Sequence, residues 1–283
     1  MFAGRCGRGG RTGRDSEGCT KTDRAWCGCD QVLCGLSTAN KWVASSMRSC
    51  GKEQLTLRHV VRFPPKQQHP YIPSVQFQPA DPNPDDLVFG DEEMKTIVAE
   101  AELANAPVAA HAHTTTGVIA ACRAGALTIE HGSRAGEEGL RAIKQHNVIL
   151  VPTLSVAEQL QPPDRFSVIL KQLKRAHDMG IRLACGGDTG TFPHGDNARE
   201  MELMIKAGVP VEDVMEACTV GGWESCGGDR CGRRFGWFAE GCAADIVGID
   251  TDPREDEGAF RKVGFVMKDG RVWKENGVAV GMV

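Results

Sequence analysis

Short apolar runs alternate with amphipathic stretches from Asp91 onward, and this rhythm is the clearest signal in the chain. Asp91, Glu92 and Glu93 put acids in the first turn of a helix, and Met94, Ile97, Val98 and Ala101 follow at helical spacing. Pro107 to His111 (PVAAH) is a short buried strand. A helix capped by Thr116 and stopped by Gly125 leads to a second strand, Leu127 to His131 (LTIEH). A helix over 137–145, a third strand over Val148 to Thr153 (VILVPT), a helix over 167–179, a fourth strand over Ile181 to Cys185 and a helix over 198–207 complete the series. Strands alternating with helices predict right-handed βαβ units on a parallel sheet, an α/β fold with four legible units.

The pattern changes after the helix predicted over 211–224. Asp245 to Asp250, Gly264 to Lys268 and Arg271 to Lys274 read as strands, and Asp269-Gly270 is a hairpin turn. They predict a small antiparallel β appendage. Before Gly90 the pattern is weak. Seven prolines between Pro64 and Pro84 mark a linker or extended loop, with one short strand expected near Ser74 to Gln78. The sequence thus divides into an irregular or disordered Cys/Arg/Gly-rich segment (1–70), a partial (β/α) barrel (71–228) and a β part (229–283).

Composition sharpens the first boundary. Residues 1–50 hold six of the 12 cysteines and eight Lys/Arg against four Asp/Glu, whereas the whole chain has a net charge of −4. Cys19, Cys27, Cys29, Cys34 and Cys50 include no C-x2-C pair, so a zinc module is not expected there. The stretch GRCGRGGRTGR lacks interleaved aromatics, which favours a solvated tail over a nucleic-acid surface. No run approaches the roughly 20 apolar residues of a membrane helix. The N-terminus has no secretory h-region, so a cytoplasmic chain is expected, with the later cysteines reduced.

The candidate chemistry lies at strand ends. His111 closes the first strand, His131 the second, and Asp188 lies just beyond the fourth. In a parallel barrel the carboxyl ends of the strands converge on one face. Two imidazoles and a carboxylate there form a hydrolytic metal set with a position open for water, the carboxylate accepting the proton. Each residue alone also suits a satisfied core or turn position; their recurrence favours the set. His113 lies on the same side of its strand as His111, to line the pocket or support a ligand. His194 and Asp196, in FPHGDN, are candidates for substrate contact or for loop structure.

The segments VAAHAH, AGALTIEHG, VILVPTLS, GGDTG and FPHGDNAREMELMIKAGVPVEDVMEACT, in that order, resemble the metal-dependent amidohydrolase superfamily. The resemblance is nearest to its imidazolonepropionase-like and Xaa-Pro dipeptidase-like branch, over about residues 85–280. It implies metal ligation by His111, His131 and Asp188, with Asp188 also shuttling the proton. It implies zinc or another divalent ion, and cleavage of a carbon–nitrogen amide bond in a dipeptide-like, N-acyl amino acid or cyclic substrate. The family's opening His-x-His pair has no counterpart in residues 1–105, and Lys66 in PPKQQHP is no counterpart of its bridging lysine. One metal ion is therefore expected rather than two. An eight-unit barrel needs roughly 200–250 residues. The expectation is the carboxyl-terminal part of such a barrel, with residues 1–70 foreign to it and an open edge at 107–111 that a second copy could cover. A catalytically inactive remnant is the competing expectation.

Overall fold

The computed structural model describes residues 44–46, 87–190 and 192–281, the first three as backbone alone. The expected strand near Ser74 and the cysteines of the first fifty residues lie outside the described residues. In chain order the elements are β1 (Ala44–Ser46), α1 (Asp91–Leu103), β2 (Val108–Thr114), α2 (Thr115–Ala124), β3 (Thr128–Arg134), α3 (Gly136–Gln145) and β4 (Ile149–Val151). They continue with α4 (Leu154–Leu160), α5 (Pro163–Asp178), α6 (Ala198–Lys206), α7 (Val211–Cys218) and α8 (Val220–Ser225). A second sheet closes the chain with β5 (Ile246–Ile249), β6 (Val263–Lys268), β7 (Arg271–Glu275) and β8 (Val278–Ala279).

Strands β2, β3 and β4 are parallel neighbours, with Ala110 opposite Ile129 and Ile129 opposite Leu150. This is the partial α/β barrel that the alternation predicts. Side chains alternate across it. Val108, Ala110, Ala112, Ile129 and Leu150 turn outward and join one large core with the helices, including Val118, Leu140, Ile143 and Leu173. On the inner face Ile149, Val151 and Ala184 form a separate small cluster.

The structure departs from expectation at several places. The predicted fourth strand is reduced to one parallel bridge, Leu150 to Leu183. Leu150 N–H donates to the Arg182 carbonyl (2.9 Å) and Ala184 N–H to the Leu150 carbonyl (3.0 Å), while Cys185 N–H, on the opposite edge, donates to Ala217 at the end of α7. The next donor of this ladder on β4 would be residue 152, which is Pro152 and has no N–H to give. The helix predicted over 211–224 breaks at Thr219 (φ −114°, ψ −86°), giving α7 and α8. The α2 cap is Thr114, which accepts from Gly117 N–H at 3.2 Å, rather than Thr116; Gly125 (φ 98°) ends the helix as expected. The short helix α4 was not expected, its seven residues being too few for a periodic signal. The edge expected to be open is paired: β1 runs antiparallel to β2 from Val108 to Ala110, giving those backbone groups partners.

In the second sheet the strand order is β5-β6-β7-β8. Asp269 and Gly270 (φ 52° and 74°) make the predicted turn, and Asn276 and Gly277 (φ 50° and 78°) a second of the same kind. Arg233 ties the sheet down through Asp245 and Asp269, each at 2.7 Å.

Candidate metal centre

The carboxyl end of β2 carries His111 and His113, two residues apart and therefore on the same face. His131 reaches that face by a different route. It pairs opposite Ala112, which turns outward, so regular pleating would send its ring away from His111. Instead the backbone turns left-handed at His131 (φ 73°) and Gly132 (φ 58°), and β3 carries an extra residue before Arg134. A bulge of this kind re-aims a side chain at a strand end. The three imidazoles consequently meet, with ring centroids 4.5–4.7 Å apart.

Ligand nitrogens of His111, His113 and His131 all lie within 4.8 Å of one another. His131 Nε2 is 2.9 Å from His111 Nδ1. His131 Nδ1 lies 2.6 Å from the Thr153 hydroxyl, and His113 Nδ1 2.8 Å from the Ser133 hydroxyl. Burial lowers the pKa of all three rings. His113 falls to about 4, with His111 and Arg134 adding to the effect, and His131 falls well below its ordinary value, helped by its two histidine neighbours. His111 is lowered by burial, and the Asp188 carboxylate works against that shift. Three neutral imidazoles at neutral pH keep the lone pairs that a divalent ion requires, so the donor set fits one.

Asp188 is not in the nitrogen cluster but acts on it. Its charge opposes the lowering of the His111 pKa and adds to the rise that burial imposes on Glu130 and Glu200, and its own backbone is left-handed (φ 56°). His194 lies exposed in the loop before α6 and does not join the three rings. Asp196 in the same loop is engaged by Arg261 at 2.6 Å.

Four residues of this region escaped the sequence reading. Thr153 and Ser133 engage the histidines, as described. Glu130, next to His131, is 3% exposed and accepts from the Thr128 hydroxyl at 2.5 Å; burial pushes its pKa up to about 7. Glu200 is 1% exposed and its carboxylate accepts from Leu154 N–H (2.8 Å), Ser155 N–H (2.7 Å) and the Ser155 hydroxyl (2.8 Å). A glutamate immediately before a strand-end histidine was the one available signal; Thr153 and Glu200 gave none.

A model of the amidohydrolase family matches residues 75–274. The chain belongs to this family. It is 31% identical to Aspergillus niger ochratoxinase over 217 residues, covering 70% of this chain and 44% of that protein. The crystal structure of A. niger ochratoxinase superposes with a TM-score of 0.63 at 30% identity, over 70% of this chain and 48% of that one. A Xaa-Pro dipeptidase solved with methionine in its active site matches at a TM-score of 0.58 and 27% identity, over 66% and 49% of the two chains. This amidohydrolase chain thus spans about half the length of the relatives it matches. Among the described residues no helix is long and apolar enough to cross a membrane.

Proposed function

We propose that the chain is a metal-dependent hydrolase that cleaves a carbon–nitrogen amide bond in a small dipeptide-like, N-acyl amino acid or cyclic amide substrate. The observation that carries the reading is the meeting of three neutral imidazoles at the carboxyl ends of β2 and β3. His111 and His131 hold one divalent ion, zinc being the natural choice for nitrogen ligands, and Asp188 supplies the carboxylate of the set. Bound there, the ion supplies an acidified water and a polarised carbonyl. The Asp188 carboxylate would accept a proton from that water and pass it to the leaving nitrogen. His113, steadied by Ser133, lines the substrate side of the rings. His194 meets the substrate from the exposed loop. Kinship with the ochratoxinase and Xaa-Pro dipeptidase sequences supports an amide linkage. A cytoplasmic location belongs to the same reading.

A second reading keeps the fold without turnover. Residues 1–105 contain no His-x-His pair, and the chain matches only about half of its relatives. Metal analysis of the purified full chain, followed by assay of zinc-loaded protein on N-acyl amino acids and dipeptides, separates the two. Hydrolysis that disappears in His131→Ala is expected. Stoichiometric zinc without hydrolysis supports the second reading, and failure to retain zinc at all sinks the metal centre.

A further inference from the structure

Thr153 stands at the start of α4, where a threonine hydroxyl ordinarily accepts a bond from an early N–H of the helix. It makes no such bond. Glu200, reaching in from α6, accepts from Leu154 and Ser155 N–H in its place. The freed hydroxyl lies 2.6 Å from His131 Nδ1, on a side chain only 1% exposed. The backbone of Thr153 is left-handed (φ 49°, ψ 49°), a conformation that β-branched residues rarely adopt and that persists where the surroundings impose it. A threonine that gives up its cap, holds a costly backbone geometry and points at one ring nitrogen serves that ring.

A histidine that ligates through Nε2 carries its proton on Nδ1, and that proton needs an acceptor. His131 Nε2 is the nitrogen turned toward His111, and Thr153 Oγ1 is the partner at Nδ1. We infer that Thr153 is a positioning residue: its oxygen accepts the Nδ1 proton of His131, fixes that tautomer, and leaves the Nε2 lone pair for a metal. Glu200 makes this possible by relieving Thr153 of the helix terminus. Ser133 beside His113 Nδ1 repeats the arrangement. The inference rests on the metal reading above, yet the tautomer exists without metal.

Long-range 1H–15N spectra of the metal-free full chain read the tautomer directly, and titration with zinc alone reads its consequence. The expected result is His131 protonated on Nδ1 in the wild type. Thr153→Val and Thr153→Ala are expected to lose that preference and weaken zinc binding by about 10–100-fold. Thr153→Ser, which keeps the oxygen, restores both; should the valine variant not fold, the alanine and serine pair carries the comparison. A wild-type His131 protonated on Nε2 overturns the inference, as does a serine variant that binds zinc no better than alanine. If the wild type takes up no zinc, the metal reading fails and the spectrum alone decides: an Nδ1 proton sustains the inference, an Nε2 proton ends it.

Discussion

The two faces of the β2–β3–β4 sheet come from the same strands and do opposite things. Outward, Val108, Ala110, Ala112, Ile129 and Leu150 are apolar and join a continuous core with the helices. Inward, the same strands present His111, His113, Thr128 and Glu130, with His131 swung onto that side by its left-handed backbone. The outer face satisfies packing with side chains that need no partners. The inner face holds polar groups at depth, where each must be hydrogen-bonded or neutral. Its histidines are held neutral, and Glu130 Oε2 has no hydrogen-bond partner among the described residues. Fold and chemistry are thus separated by one residue of register.

That separation can be broken from either side. The largest effect is expected at His131: replacement by alanine removes a ring nitrogen from the cluster and cuts zinc affinity by more than about a hundredfold, beyond what supporting partners contribute. The melting temperature of the metal-free chain should scarcely move, because the ring is not part of the outer core. Two residues earlier, Ile129→Ala on the outer face should destabilise the chain by about 2–5 kcal/mol while leaving zinc stoichiometry intact. Denaturant midpoints and zinc titrations on both variants show whether the two faces are independent; loss of both properties in either variant would join them.

A smaller effect concerns Glu200. Its pKa is raised from 4.5 to about 7 by burial, against the pull of three hydrogen-bond donors. The folded chain therefore keeps a proton that the unfolded chain has released between those values, and stability falls as pH rises through that window. Glu200→Gln cannot ionise. Its stability relative to wild type should improve by on the order of 1 kcal/mol or more between pH 4.5 and 7.5, read from urea midpoints. A wild type that gains on the variant over that range would show that the ionised carboxylate is the form that holds α4. The smallest effect is expected at His194, exposed and apart from the rings: alanine should change zinc affinity by less than about twofold, with any loss confined to KM.

Much of this arrangement was legible in the residues. Alternation in VAAHAH put His111 and His113 on one face, and the recurring strand-end positions singled out His131 and Asp188. What escaped depends on backbone torsions and distant partners. Pleating alone would point His131 away from His111, and only the left-handed turn at φ 73° brings it back. Thr153 read as the last residue of a strand, since nothing local announces that Glu200, 47 positions later, takes over the end of the next helix. The apolar run IRLAC predicts a fourth strand, but its ladder with β4 ends after Leu150 because Pro152 has no N–H to continue it. Thr219 divides a helix whose apolar periodicity runs through it.

Imidazoles at the carboxyl ends of β2 and β3 are proposed to hold a metal ion, in a chain that also contains 12 cysteines. Zinc-edge X-ray absorption on the full chain loaded with one equivalent tests it most directly. The account predicts nitrogen and oxygen neighbours at about 2.0–2.1 Å with the outer-shell scattering of at least two imidazoles. A first shell dominated by sulphur at about 2.3 Å would place the metal on cysteines and contradict it.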